Sequence, residues 1–188
     1  MPTPRYKTNC SVFTKRDISF VLPNIVILNL PKFKFFKFLL FQNKMYMDVL
    51  YGYEVTLLEP TSFWDIVPNE ISQIYHFYNI PITKNITAKH NPLKIIKDTA
   101  NVDDFVSFKL DIDTPSVEIP LALQIASDPS LAELIDEFFI EIHFNCPLLK
   151  GCWGTVPEYV DGFKLDRVSA MNLLQKYRTM GIRSHFWP

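Results

Sequence analysis

From Tyr53 onward, apolar and polar positions fall into short blocks that close on proline, glycine or acidic residues. Tyr53-Glu-Val-Thr-Leu-Leu-Glu59 is apolar, partly β-branched and halted by Pro60, which predicts a strand. Ser62 is the expected cap of a short helix through Phe63, Trp64 and Ile66, and Glu70, Ile71 and Ile74 continue at helical spacing. Ile74 to Ile80 reads as a second strand, ended by Pro81. Asn91-Pro92 starts a helix with Leu93, Ile96 and Ala100 on one face, proline standing at its favoured first position. Phe105 to Asp113 is the clearest strand, closed by Thr114-Pro115, and Val117 to Ile125 carries a helical apolar stripe. Asp128-Pro129 opens another helix, Leu131 to Ile135. Phe138 to Phe144 is a nearly continuous apolar run, as in buried parallel strands. After a glycine-containing loop, Asp166 is placed to cap an amphipathic helix from Val168 to Met180, stopped at Gly181, and Ile182 to Trp187 forms a last strand.

Strands alternating with helices predict an α/β fold: a three-layer, Rossmann-like, mostly parallel sheet with helices on both faces. This domain is expected over residues 51–188, and residues 1–50 are set apart as an irregular N-terminal segment. There, Lys32 to Lys44 (KFKFFKFLLFQNK) is built almost wholly from Lys, Phe and Leu, and the five glycines all lie from Gly52 onward. Phe20 to Phe41 is apolar, but Lys32, Lys34 and Lys37 interrupt it. A central charge costs roughly 2.5–3.5 kcal/mol on insertion scales, which argues against a spanning helix. The expectation is a soluble, cytoplasmic protein, with weak membrane-surface contact through Lys32–Lys44 as the alternative.

Charge sharpens this only by exclusion. A net charge of -1, from 19 basic and 20 acidic side chains, offers no general attraction to nucleic acid. Cys10, Cys146 and Cys152 lack zinc-finger spacing and are read as reduced thiols.

Ligands of open α/β sheets gather at the carboxyl ends of strands. The polar residues expected there are Glu59, Asp111 with Asp113, and Glu141 with His143. Residues two apart on a strand share a face, so neighbouring strands would bring four ionisable groups into one crevice. The competing reading is that individual carboxylates cap the following helix or pair with Lys109 and Arg183. Lone His76 and His143 in apolar strands are equally read as packed core, and His90 and His185 as exposed. Trp153, between Gly151 and Gly154, is a candidate for a binding loop.

Phe108-Lys-Leu-Asp-Ile-Asp113 resembles the fourth-strand motif of FkbM-type methyltransferases, in which a Lys-apolar-Asp-apolar-Glu run closes the strand. Tyr53-Glu-Val-Thr-Leu-Leu-Glu-Pro60 is similar to that family's second strand, and Ile140-Glu-Ile-His143 to its fifth. The resemblance runs from about Tyr53 to Trp187. It implies an S-adenosylmethionine (SAM)-dependent O-methyltransferase acting on a hydroxyl of a sugar or small molecule. Glu59 would hold the cofactor ribose. Asp111, Asp113 and His143 would be the catalytic candidates, Glu141 and Trp153 would line the acceptor site, and no metal is expected in the chemical step. A divalent ion at Asp111, Asp113 and Glu141 is the minor variant.

Two departures stand out. Thr114-Pro115-Ser116 replaces the family's Gly-Ala-Glu, the next acid being Glu118, and the glycine-rich turn of the cofactor loop is missing ahead of Glu59. The biased N-terminal stretch occupies that place, either as a diverged replacement or as translated non-coding sequence. The second functional expectation is therefore a non-catalytic scaffold or interaction module that has lost SAM binding.

Overall fold

The computed structural model describes residues 48–144 and 156–187. Lys32–Lys44, the three cysteines and Trp153 lie outside the described residues. In chain order the elements are β1 (Leu50–Tyr53), α1 (Pro60–Ile66), α2 (Asn69–Ser72), β2 (Tyr75–Tyr78), α3 (Pro92–Thr99) and β3 (Ser107–Leu110). There follow α4 (Pro115–Ser127), α5 (Pro129–Ala132), β4 (Glu137–Ile140), β5 (Tyr159–Val160), β6 (Phe163–Lys164), α6 (Arg167–Thr179) and β7 (Arg183–Phe186). The chain is mixed α/β and its strands pair mostly in parallel. β1 pairs with β2, and β3–β4–β7 form a second parallel sheet in that order, while β5 and β6 make an antiparallel hairpin. Among the described residues, no helix is long and apolar enough to cross a membrane.

Prolines and short polar caps set the helix starts. Asn91 accepts the N–H groups of Leu93 and Lys94, Asp128 those of Ser130 and Leu131, and Asp166 that of Ser169. Each satisfies donors that a helix N-terminus leaves unmatched. The Asp161-Gly162 pair turns β5 into β6 with φ of 48° and 79°. Positive φ at both central residues is what a two-residue hairpin requires, and Asp-Gly supplies it at little cost.

The β3–β4–β7 sheet separates two apolar clusters by strand alternation. Phe108 and Phe138 stack, and Tyr177 of α6 meets Phe138 edge-on. The buried Tyr177 hydroxyl donates to the Ala122 carbonyl of α4 at 2.7 Å, tying the two long helices together. Burying a side chain of this size contributes about 1.5–3 kcal/mol, so this triad anchors the larger cluster. Phe139 points the other way and packs with Trp187 against Leu50, Phe63, Val67, Ile71 and Tyr75.

One predicted strand is corrected. Tyr53 to Glu59 is not extended structure: the strand is Leu50–Tyr53, and residues 54–59 form a loop. The apolar alternation there buries little, for Val55 is 68% and Leu57 87% exposed. A side chain takes the part of a neighbouring strand. Asn79 accepts from the Leu58 N–H at 2.8 Å, and its amide donates to the Glu54 and Thr56 carbonyls, each at 2.7 Å. The cap expected at Ser62 is Glu59, whose carboxylate accepts the Thr61 and Ser62 N–H groups.

Candidate functional site

β3 and β4 lie side by side with Leu110 opposite Ile140, and the ladder extends one residue further through Glu141 N–H to the Leu110 carbonyl at 3.1 Å. Their carboxyl ends therefore meet, and the polar residues that follow them share one rim. The two strands then part from regular alternation. Ile112 N–H is bound at 2.8 Å by the Glu118 carboxylate, reaching back from the first turns of α4. Asp113 next takes a left-handed conformation, with φ of 54°, which Asp tolerates better than most residues. That turn swings Asp113 to the rim, where its side chain is 59% exposed.

Three of the expected site residues come together. His143 Nε2 lies 3.3 Å from Glu141 Oε2 and 3.7 Å from Asp113 Oδ1. One donor atom from each of Asp113, Glu141 and His143 lies within 4.8 Å of the others, an arrangement suited to holding a cation. His143 and Glu141 are buried, Asp113 opens to solvent.

Asp111 stands one step inside the rim. It is fully buried in an ion pair with the equally buried Lys109, whose ammonium also sits 4.4 Å from the centre of the Trp187 ring. This realises the pairing reading for Asp111. Because a buried carboxylate is tolerable only when paired and hydrogen-bonded, the pair is best understood as architecture beneath the rim.

Glu59 caps α1, and its exposed carboxylate uses both oxygens to do so, at 3.1 Å to Thr61 N and 2.6 Å to Ser62 N. Those N–H groups hold its carboxyl below the usual glutamate range. No described contact joins Glu59 to the Asp113–Glu141–His143 group. Of the histidines read as core, His143 is buried, whereas His76 is exposed and stacks on Tyr51. His90 is exposed, and His185, half-buried, stacks on Phe139.

Glu118 is the site residue that sequence reading passed over. It is 1% exposed, and burial pushes its carboxyl up to about 8; the Ile112 N–H opposes this, and the charges of Asp111, Glu141 and Asp113 add to it. The signal was a lone charge inside the apolar run Val117-Glu118-Ile119-Pro120-Leu121-Ala122.

Beside this rim lies a cavity of about 260 Å³, lined by Tyr53, Glu54 and Val55 after β1, Ile80 to Ile82 after β2, and Ile112, Thr114 and Val117 around the β3–α4 turn. Its walls are mostly apolar, and Ile112 and Thr114 flank Asp113. The loop that Asn79 pins thus forms one wall of the cavity. No protein-family model matches the chain, and no curated protein or solved structure does either.

Proposed function

We propose that the protein is a methyltransferase-fold enzyme of FkbM type, with a three-layer, Rossmann-like arrangement, that transfers a methyl group from SAM to a hydroxyl of a sugar or small molecule. The observation that carries the reading is the position of the apolar cavity at the carboxyl ends of parallel strands, directly beside the Asp113–Glu141–His143 group. That is where open α/β sheets take their ligands.

The cavity is small against the roughly 300–1,000 Å³ of typical ligand pockets. Its apolar walls of Ile80, Pro81, Ile82, Ile112 and Val117 would suit a single aromatic ring such as adenine, with Glu54 and Thr114 as polar edges. SAM, when bound, supplies the activated methyl group. The residues of the chain would hold the acceptor oxygen at Asp113, Glu141 and His143, and Asp111 would support them from within its pair with Lys109. Asp113, exposed at the open rim, would give the hydroxyl proton a path to water as the acceptor oxygen takes up the methyl group. Alignment of the two reactants is the main requirement, and it can lower such a barrier by about 7–11 kcal/mol.

A second reading has its own support: Glu59 spends both carboxylate oxygens on a helix cap, away from the ribose role that the resemblance implies. This favours a fold retained as a scaffold or interaction module. Isothermal titration of the full chain with SAM separates the two. Saturable heat that is lost on replacing Thr114 with Trp, which would fill the cavity mouth, supports the enzyme. No heat and no thermal shift at millimolar SAM leaves the scaffold.

A further inference from the structure

The rim offers a donor set as well as a hydroxyl-facing wall. The structure assigns to Asp113, Glu141 and His143 a binding site for one divalent cation of the zinc or manganese class. The inference concerns the same three residues as the methyl-transfer reading but does not rest on it.

Spacing is the first argument. Four ligands at about 2.0–2.2 Å in tetrahedral array around zinc stand about 3.3 Å apart. His143 Nε2 is 3.3 Å from Glu141 Oε2 and 3.7 Å from Asp113 Oδ1. A single nitrogen within reach of two carboxylates can direct one proton toward only one of them, and 3.7 Å is already beyond hydrogen-bond length. All three atoms lie within 4.8 Å of one another, and a cation between them would draw the exposed Asp113 side chain inward to reach this spacing.

Fixation is the second argument. Metal sites work when the ligands are held by their surroundings. Here the Glu141 backbone is locked by its N–H bond to the Leu110 carbonyl. The chain just before Asp113 is locked by the Glu118 carboxylate on Ile112 N–H. Asp113 itself is placed by a left-handed turn that most residues would resist. The ligands thus come from two adjacent strand ends and one strained turn.

Charge is the third. Asp111, Asp113 and Glu141 stand close enough that their charges help to raise the Glu118 carboxyl, so negative charge concentrates at these strand ends. Asp111 is paired with Lys109, and a dication at the outer trio would suit the two carboxylates there. The mixed set, one imidazole and two carboxylates, favours a borderline cation such as zinc or manganese over magnesium or calcium, which prefer oxygen alone. The partly exposed Asp113 side leaves room for water or a ligand oxygen on the ion. The site also differs from the sequence expectation of Asp111, Asp113 and Glu141, because Asp111 faces Lys109 and His143 takes its place.

The test is calorimetric titration of the full chain, stripped of metal by chelator, with zinc chloride and separately with manganese chloride. One equivalent should bind. Asp113→Asn, which keeps the left-handed turn, and His143→Gln should each weaken binding by more than the roughly 10–100-fold that loss of an outer-shell partner alone costs. Because Asp113 is exposed, Asp113→Asn remains informative even if His143→Gln fails to fold. A Cys10→Ser, Cys146→Ser, Cys152→Ser triple variant should bind as before, and bound cobalt should give weak visible bands without thiolate charge transfer. Absence of binding overturns the proposal. So does binding that survives Asp113→Asn, or that vanishes with the cysteines.

Discussion

Replacing Glu118 with Gln isolates the electrostatic cost of the rim. In the unfolded chain this carboxyl ionises near 4.5, while in the fold it keeps its proton until about 8. Between those pH values the folded state binds a proton that the unfolded state has released. The contribution of Glu118 to stability is therefore fully present below pH 4.5 and is lost as pH rises through 8. At roughly 1.4 kcal/mol per pH unit, the loss is about 3 kcal/mol at pH 7 and on the order of 5 kcal/mol above pH 8. Against the 5–15 kcal/mol or so that stabilises a typical domain, this is large. Gln keeps an oxygen for the Ile112 N–H and carries no charge at any pH. Urea unfolding of metal-free protein, followed by tryptophan fluorescence at pH 5, 6, 7 and 8, measures the difference. Wild type and Glu118→Gln should agree within about 1 kcal/mol at pH 5, where both side chains are neutral in the fold. The variant should gain steadily above that, by several kcal/mol at pH 8. Curves that stay parallel from pH 5 to 8 would refute the reasoning, because Glu118 would then ionise alike in both states.

Three further outcomes follow from named contacts. Lys109→Met leaves the buried Asp111 carboxylate without its ammonium and should cost about 3–5 kcal/mol in chemical denaturation. The Lys109→Met, Asp111→Leu double variant should recover most of that, and a double variant no more stable than the single would argue against a mutual role. Asn79→Ala removes the three hydrogen bonds that pin residues 54–58. It should speed proteolytic cleavage in that loop at least severalfold under native conditions, and an unchanged cleavage rate would mean that the loop is held by something else. Gly52→Ala would place a methyl group 2.2 Å from the Tyr75 hydroxyl and 2.6 Å from its ring. The buried ring must then shift, so the midpoint of denaturation should fall by an amount equivalent to about 1–3 kcal/mol; a neutral substitution would show that Tyr75 moves freely.

Much of the chain was determined by local chemistry and could be read without coordinates. A polar cap just before the helix, Asn91, Asp128 or Asp166, placed α3, α5 and α6, the first two with proline at the first turn, because a cap depends only on residues within one turn. The apolar runs at Phe105–Asp113 and Phe138–Phe144 marked β3 and β4; that the two pair side by side, which brings Asp113, Glu141 and His143 together, was decided by the fold. The Asp-Gly turn of the β5–β6 hairpin is as local as the caps, since positive φ at Asp161 and Gly162 needs only those two residues. Tertiary structure alone decided the rest. Alternation at Tyr53 to Glu59 looked like a strand, yet whether such a segment pairs depends on what lies beside it, and the Asn79 side chain lies there. Asp111 and Asp113 are two residues apart in sequence but have different fates. One is sealed against Lys109, and the other is thrown to the rim by a backbone turn that Glu118, reaching back from α4, holds in place. Periodicity reports which way a side chain points while the backbone stays regular. At the strand ends, where the regularity stops, only the packing of neighbouring elements fixes which charges meet.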